Sequence, residues 1–179
     1  SPALVHIHQH GHAHDNHERD GRNCEFGASR NALAQREDLS QGLALLREHF
    51  GARLQAIFTP PWNRCAAHTP ALLAELGFAA LSRNRHAKPA QHALPEIAVD
   101  VDWTKHLREG GASALATALS QALQARAGDG QPLGLMLHHA EMDATDLLLL
   151  RRVLDATRDH PRARWQLMRD VLAAPAASA

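Results

Sequence analysis

The chain is constrained most by the alternation of two hydrophobic periodicities along its length. Leu4 to His10 suits an extended strand, with β-branched Val5 and Ile7 set between histidines. After a polar loop, Leu39, Leu43, Leu46 and Phe50 recur at helical spacing until Gly51 closes the element. Arg53 to Phe58 reads as a second strand, stopped by Pro60-Pro61, and Thr69-Pro70 supplies an N-cap and first-turn pair for a short helix ended by Gly77. Phe78 to Ser82 and Ile97 to Val101 are further strands, separated by a polar stretch from Arg83 to Pro95. A helix over Ala112 to Ala127 carries Leu115, Leu119 and Leu123 on one face and ends at Gly128. The apolar run Leu133–Leu137, a long helix from Asp143 to His160, and a last strand at Trp165–Leu167 before a terminal helix complete the reading. Strands alternating with helices require crossover connections, so the fold class is α/β with a parallel sheet covered by helices, either a barrel or an open doubly wound sheet.

Composition narrows the function classes. A chain of 179 residues predicts one globular domain, followed by an Ala-rich tail over residues 173–179. No uncharged apolar run reaches the ~18 residues that a bilayer span needs. Lys and Arg together number 19 and balance 19 Asp and Glu. With no basic cluster and no Tyr for a stacking platform, nucleic-acid binding is not expected. Cys24 and Cys65 are too few for a disulfide framework and form no CxxC pair. Ser1 to Val5 shows neither the positive start nor the apolar stretch of an export signal, which favours a cytoplasmic location.

In a parallel α/β fold, reactive groups belong at the C-terminal ends of the strands. The unusual clusters fall there: His10 to His17, Thr59 to Arg64, Asp100 to Trp103, and His138-His139. Six of the 14 histidines lie within the first 17 positions. Alternation by two puts His6, His8 and His10 on one strand face, and a turn after Gly11 would bring His14 back toward His10. Imidazoles so placed can share a divalent metal, most naturally Zn²⁺, whose catalytic sites use three protein ligands and leave a position for water. The competing reading is a polar strand face with adventitious metal affinity. Trp62 and Trp103 can stack on a sugar ring, although a tryptophan near a strand end is at least as often core packing. His139 must point away from His138 on a strand and reads as structural. His49, His68, His86, His92, His106 and His160 are scattered and read as surface residues.

Taken in order, Gln9 to His17, Glu25-Phe26-Gly27, Pro60 to Arg64, Gly77-Phe78 with Leu81-Ser82, and Leu137-His138-His139 resemble a polysaccharide deacetylase-like family. That family is related to carbohydrate esterase family 4 and its NodB homology domain, and the resemblance covers about residues 4–172. It implies a distorted parallel β/α barrel related to the TIM barrel. It also implies that His10 and His14 are metal ligands, and that Pro61, Trp62 and Asn63 form one wall of the substrate groove, with Arg64 closing the same motif. Asp102 and Trp103 resemble the fourth motif, His138 matches the general acid, and Leu137 matches the pocket for the acetyl methyl group, so His138, Arg64 and Asp102 are the expected catalytic residues and Trp103 an expected substrate contact. The family's first motif, an aspartate pair supplying a metal ligand and the general base, has no counterpart before Leu4. Asp15, Glu18, Asp100 and Asp102 are the carboxylates nearest the histidine clusters in sequence, but none stands in that context. A chain of this length is therefore expected to lack one or two upstream βα units, since a complete β/α barrel needs ~200 residues or more. Sheet edges so exposed would have to be covered by another segment or subunit.

The chemistry fits those residue types. Removing an N-acetyl group needs an activated water, a positive centre for the developing oxyanion, and an acid for the departing amine. Arg64 could orient a carboxylate or fix a sugar hydroxyl, or serve in a loop salt bridge. Glu25, Asn16 and His17 are expected to order the loop after the histidines. The expectation is a metal-dependent hydrolase acting on an N-acetylated sugar or related C–N amide. Its rivals are a catalytically silent metal- or glycan-binding relative and a His-rich metal-storage module.

Overall fold

The computed structural model describes residues 5–88 and 92–173. Leu4, residues 89–91 of the expected polar stretch, and nearly all of the expected Ala-rich tail lie outside the described residues. Where the sequence predicts one domain, the chain divides between Ala98 and Val99 into two compact units.

Strands β1 (Ile7–His10), β2 (Leu54–Thr59) and β3 (Ala80–Asn84) of the first unit form one sheet, in that order, with β4 (Glu96–Val99), whose last residue falls past the division. β1 pairs in parallel with β2, and β2 with β3. The α/β class and the parallel strands expected from the alternation are present. The crossover from β1 to β2 is helix α1 (Ala32–Phe50). Asn31 caps its start by accepting the Ala34 N–H at 2.9 Å, and Gly51 closes its end. Helix α2 (Thr69–Glu75) connects β2 to β3. Its N-cap is His68 rather than Thr69, because the Thr69 hydroxyl is committed elsewhere, 2.8 Å from Gln35 Oε1.

One face of this sheet packs on the two helices through Phe26, Leu39, Leu43, Phe58, Leu72, Leu73, Phe78 and Leu81. Arg83, fully buried, donates to Glu96 Oε1 at 2.8 Å and to the Lys88 carbonyl at 2.7 Å. Burying a guanidinium without such partners is costly. His92 belongs to the same cluster, 3.2 Å from Arg83 Nη2, with its side chain 8% exposed; it is not a surface residue. His68 is half-buried rather than on the surface.

In the second unit the strand expected over Ile97–Val101 breaks at Asp100. The Asp100 carboxylate accepts the Gly134 N–H, and the chain resumes as β5 (Val101–Asp102), which pairs in parallel with β6 (Leu135–Met136). Helix α3 (Trp103–Asp129) is longer than the periodicity predicts. Asp102 caps it by accepting the Lys105 N–H, and a break at Gly110-Gly111 separates this first limb from the expected one. The helix runs on to a left-handed cap at Gly130 (φ 67°) rather than ending at Gly128. Val101, Trp103 and Leu115 are its buried core, with Leu119 and Leu135 packed around them, whereas Leu123 is exposed. Helix α4 (Ala144–Arg158) starts on a reciprocal Asp143–Asp146 capping box, and α5 (Met168–Ala173) follows. Residues 165–167 form no strand. Trp165 is 56% exposed and brings no buried face to a pairing partner.

Among the described residues no helix is long and apolar enough to cross a membrane.

Candidate functional site

Parallel register decides what stands beside the clustered histidines. His10 pairs with Thr59 at the C-terminal ends of β1 and β2, so the loops that leave the two strands are neighbours. The turn expected after Gly11 is present and returns His14 to His10, with ring centres 5.2 Å apart. Trp62, from the loop after β2, lies against the other side of His14 at 4.4 Å. The only non-glycine residues with positive φ among those described are His14 (59°), Trp62 (54°) and Asn63 (58°). Each such conformation costs on the order of 1–3 kcal/mol, and residues of this kind gather at functional sites.

The histidines of β1 differ in what they touch. His10 Nδ1 lies 3.1 Å from the Thr59 carbonyl oxygen. A carbonyl only accepts, so Nδ1 carries the hydrogen and Nε2 the lone pair that a metal would need. His8 Nε2 contacts the Thr59 hydroxyl at 2.9 Å, and His6 Nδ1 contacts the Gln55 amide. Burial first, and then the nearby His10, push the His8 imidazole below its ordinary pKa, which favours its neutral form. Among the described residues no group of three or more His, Cys, Asp or Glu side chains stands at metal-ligand spacing.

The loop that carries His14 is held by its own polar groups. Glu25, fully buried, accepts N–H groups from His12, Ala13 and His14 on one oxygen. Asn16 Oδ1 accepts from the amides of Glu18 and Cys24, and the His17 N–H reaches the Cys24 carbonyl. These are the ordering roles expected of Glu25, Asn16 and His17. Glu18 receives both the amide and the hydroxyl of Ser29, and these hydrogen bonds hold its carboxyl below the usual 4.5. Because the folded value is the lower one, this contact contributes fully above the ordinary carboxylate range and is lost as pH falls through the folded value. The Ser29 amide resonance is therefore expected to hold steady from neutral pH down to that range and to move only below it. Movement near pH 7 would contradict the assignment.

The other wall residues have structural engagements. Asn63 Oδ1 accepts the Asn84 N–H at 3.0 Å, which ties the left-handed turn to the end of β3. Arg64 Nη1 donates to the Asn23 carbonyl at 2.9 Å, a loop contact to the backbone rather than the salt bridge expected as the alternative to a catalytic role. Pro61 is buried beside Gly11. Trp103, expected to be available for stacking, is fully buried in the second unit's core and presents no face to a ligand.

In the second unit, His138 follows β6 and is 43% exposed, with Nδ1 3.5 Å from Asp102 Oδ1. That separation is an ion-pair distance rather than a hydrogen bond. It arises because Asp102 and Met136 are register partners on adjacent strand ends. Leu137, next to His138, is 37% exposed. His139 begins a short 3₁₀ turn rather than continuing the strand.

The cysteines take no part in either cluster. Burial pushes the Cys65 thiol up to about 11, and Cys24 is likewise raised by burial. Since the thiolate is the nucleophile, iodoacetamide should label native Cys65 at least ~10-fold more slowly than the unfolded chain at mildly alkaline pH. Equal rates would contradict its burial.

In comparisons with known proteins, the chain matches no protein-family model, no curated protein and no solved structure.

Proposed function

We propose that the protein is a metal-dependent hydrolase, built on a distorted β/α barrel, that removes the acetyl group from an N-acetylated sugar or a related C–N amide. The observation that carries this reading is the His10–His14 pair at the ends of β1 and β2. His10 has its tautomer set by the Thr59 carbonyl, the arrangement usual for metal-bound histidine. The spacing also fits: imidazoles bound tetrahedrally at ~2.1 Å place their ring centres roughly 5 Å apart, against 5.2 Å here. His10 and His14 would supply two protein ligands, and imidazole donors suit Zn²⁺. A bound Zn²⁺ supplies a Lewis acid and lowers the pKa of its water to ~7.

The chain's own groups do the rest. Asp102 Oδ1 lies 3.5 Å from His138 Nδ1 and can orient the ring that we assign to give a proton to the departing amine. Trp62, beside His14, offers an indole face to a sugar ring, and Leu137 is the residue that the resemblance assigns to the acetyl methyl group.

The test is acetate release from an N-acetylglucosamine oligomer by the zinc-loaded protein. His138→Ala should lower the rate by about 10²–10⁴ while leaving zinc stoichiometry unchanged. Equal rates in the two proteins would refute the assigned acid. Zinc binding without acetate release would identify a silent binder, and several zinc ions per chain retained after His14→Ala would identify storage.

A further inference from the structure

We infer that Glu25 is the positioning residue of the His10–His14 pair, an inference that rests on reading those two histidines as metal ligands. Glu25 is anchored from below. Its neighbour Phe26 is fully buried in the core and bridges in parallel to Cys65, which fixes the carboxylate's root beside the chain that follows Trp62. From there Oε1 accepts three consecutive backbone N–H groups, His12 at 3.0 Å, Ala13 at 2.7 Å and His14 at 3.2 Å. Three successive amides converge on one oxygen only if the backbone curls around it. That curl carries His14 into its left-handed conformation and its ring back to His10. A buried carboxylate oxygen needs hydrogen-bond donors, and these three N–H groups supply them.

The second oxygen adds a constraint. Glu25 Oε2 is buried and has no hydrogen-bond partner among the described residues. It lies where any side chain on Gly11 would go: a Cβ there would stand 2.2 Å from Oε2 and 2.6 Å from Pro61 Cγ. Gly11 also has φ +66°, which L side chains rarely adopt. The carboxylate, Gly11 and Pro61 thus lock the loop after β1 against the loop after β2. The unpartnered oxygen therefore stands at Gly11, between His10 and His14 in the chain, and fills the space around which the turn closes.

The two contributions separate by substitution. Glu25→Gln keeps an acceptor oxygen and removes the charge, whereas Glu25→Ala removes both. Zinc affinity should fall about 10-fold in the first and about 100-fold in the second, with the stoichiometry at saturation unchanged. In zinc-free protein the amides of residues 12–14 should exchange with solvent at least ~10-fold faster in Glu25→Ala, while those of Phe58 and Leu81 keep their protection. Wild-type zinc affinity in both variants would overturn the inference and leave the hydrolase reading standing. If the wild-type protein takes up no zinc, the hydrolase reading fails, and the exchange comparison alone decides the role of Glu25. Unchanged exchange at 12–14 then overturns it. Should Glu25→Ala not fold, Glu25→Gln and Gly11→Ala carry the test: a Cβ pressed into the carboxylate should reproduce the loss of zinc affinity and of amide protection. Neither effect in Gly11→Ala would overturn the inference.

Discussion

Replacing His10 with alanine is expected to remove zinc binding and to cut acetate release by at least ~10²-fold, a loss of both functions in one change. The size follows from where His10 stands. It is the last residue of β1, in register with Thr59, and its Nδ1 hydrogen is held by the Thr59 carbonyl. Alanine removes a donor that this register has already oriented, and neither strand neighbour can replace it. His8 faces the Thr59 hydroxyl, and Gln9 is buried on the opposite face, its amide donating to the Gly11 carbonyl. The fold should survive, since His10 is exposed and outside the core. Zinc titration, acetate release and circular dichroism on one preparation check all three statements. Acetate release within a few fold of wild type would remove His10 from the mechanism.

Phe58→Ala is expected to destabilise the first unit by about 3–5 kcal/mol, the largest single effect on stability. Phe58 has no exposure and stands edge-to-face between Phe26 at 5.2 Å and Phe78 at 5.8 Å. Its removal deletes the central ring of that row and leaves a cavity between α1, α2 and the sheet, which rigid strands close only in part. Phe58→Leu keeps an apolar filling and should cost much less. Urea unfolding measures both, with the midpoint shifting at constant slope. A loss below ~1 kcal/mol in Phe58→Ala would contradict the core assignment. Phe58 also precedes Thr59, so partial unfolding around it should loosen His10 in step.

Much of the fold was legible because local pattern and burial agree. Leu39 and Leu43 are buried on α1 where the spacing puts them, and Gly51 closes that helix. The parallel strands followed from the alternation itself. Failures came where a side chain serves a distant partner. Thr69 looks like a helix cap in sequence, but its hydroxyl answers to Gln35. His92 looks like a scattered surface histidine, but Arg83 holds it inside. Trp103 sits at a strand end, as a stacking residue would, yet it fills the second unit's core. For Trp165–Leu167, composition suggested a strand that has nothing to pair with.

The candidate site shows the same division. The return of His14 toward His10 could be read from Gly11 and the alternation of histidines. The acceptor on His10 could not, because Thr59 lies 49 residues away and only register brings it alongside. Glu25 was visible as a residue expected to order the loop, but its three amide bonds depend on a curl that no spacing encodes. Asn84, which holds the turn at Trp62 and Asn63, gave no sequence signal at all; it does so as the last residue of β3.

The central claim is that His10 and His14, out of 14 histidines, form a metal site. Its most direct measurement is a zinc titration of protein labelled with ¹⁵N in the imidazole rings. The account predicts saturation at one zinc per chain. A large shift of His10 Nε2 and of one His14 ring nitrogen should be complete at that point, while His106 and His160 stay unmoved. Shifts spread evenly over His6, His8, His10, His12, His14 and His17, growing without saturation, would contradict it.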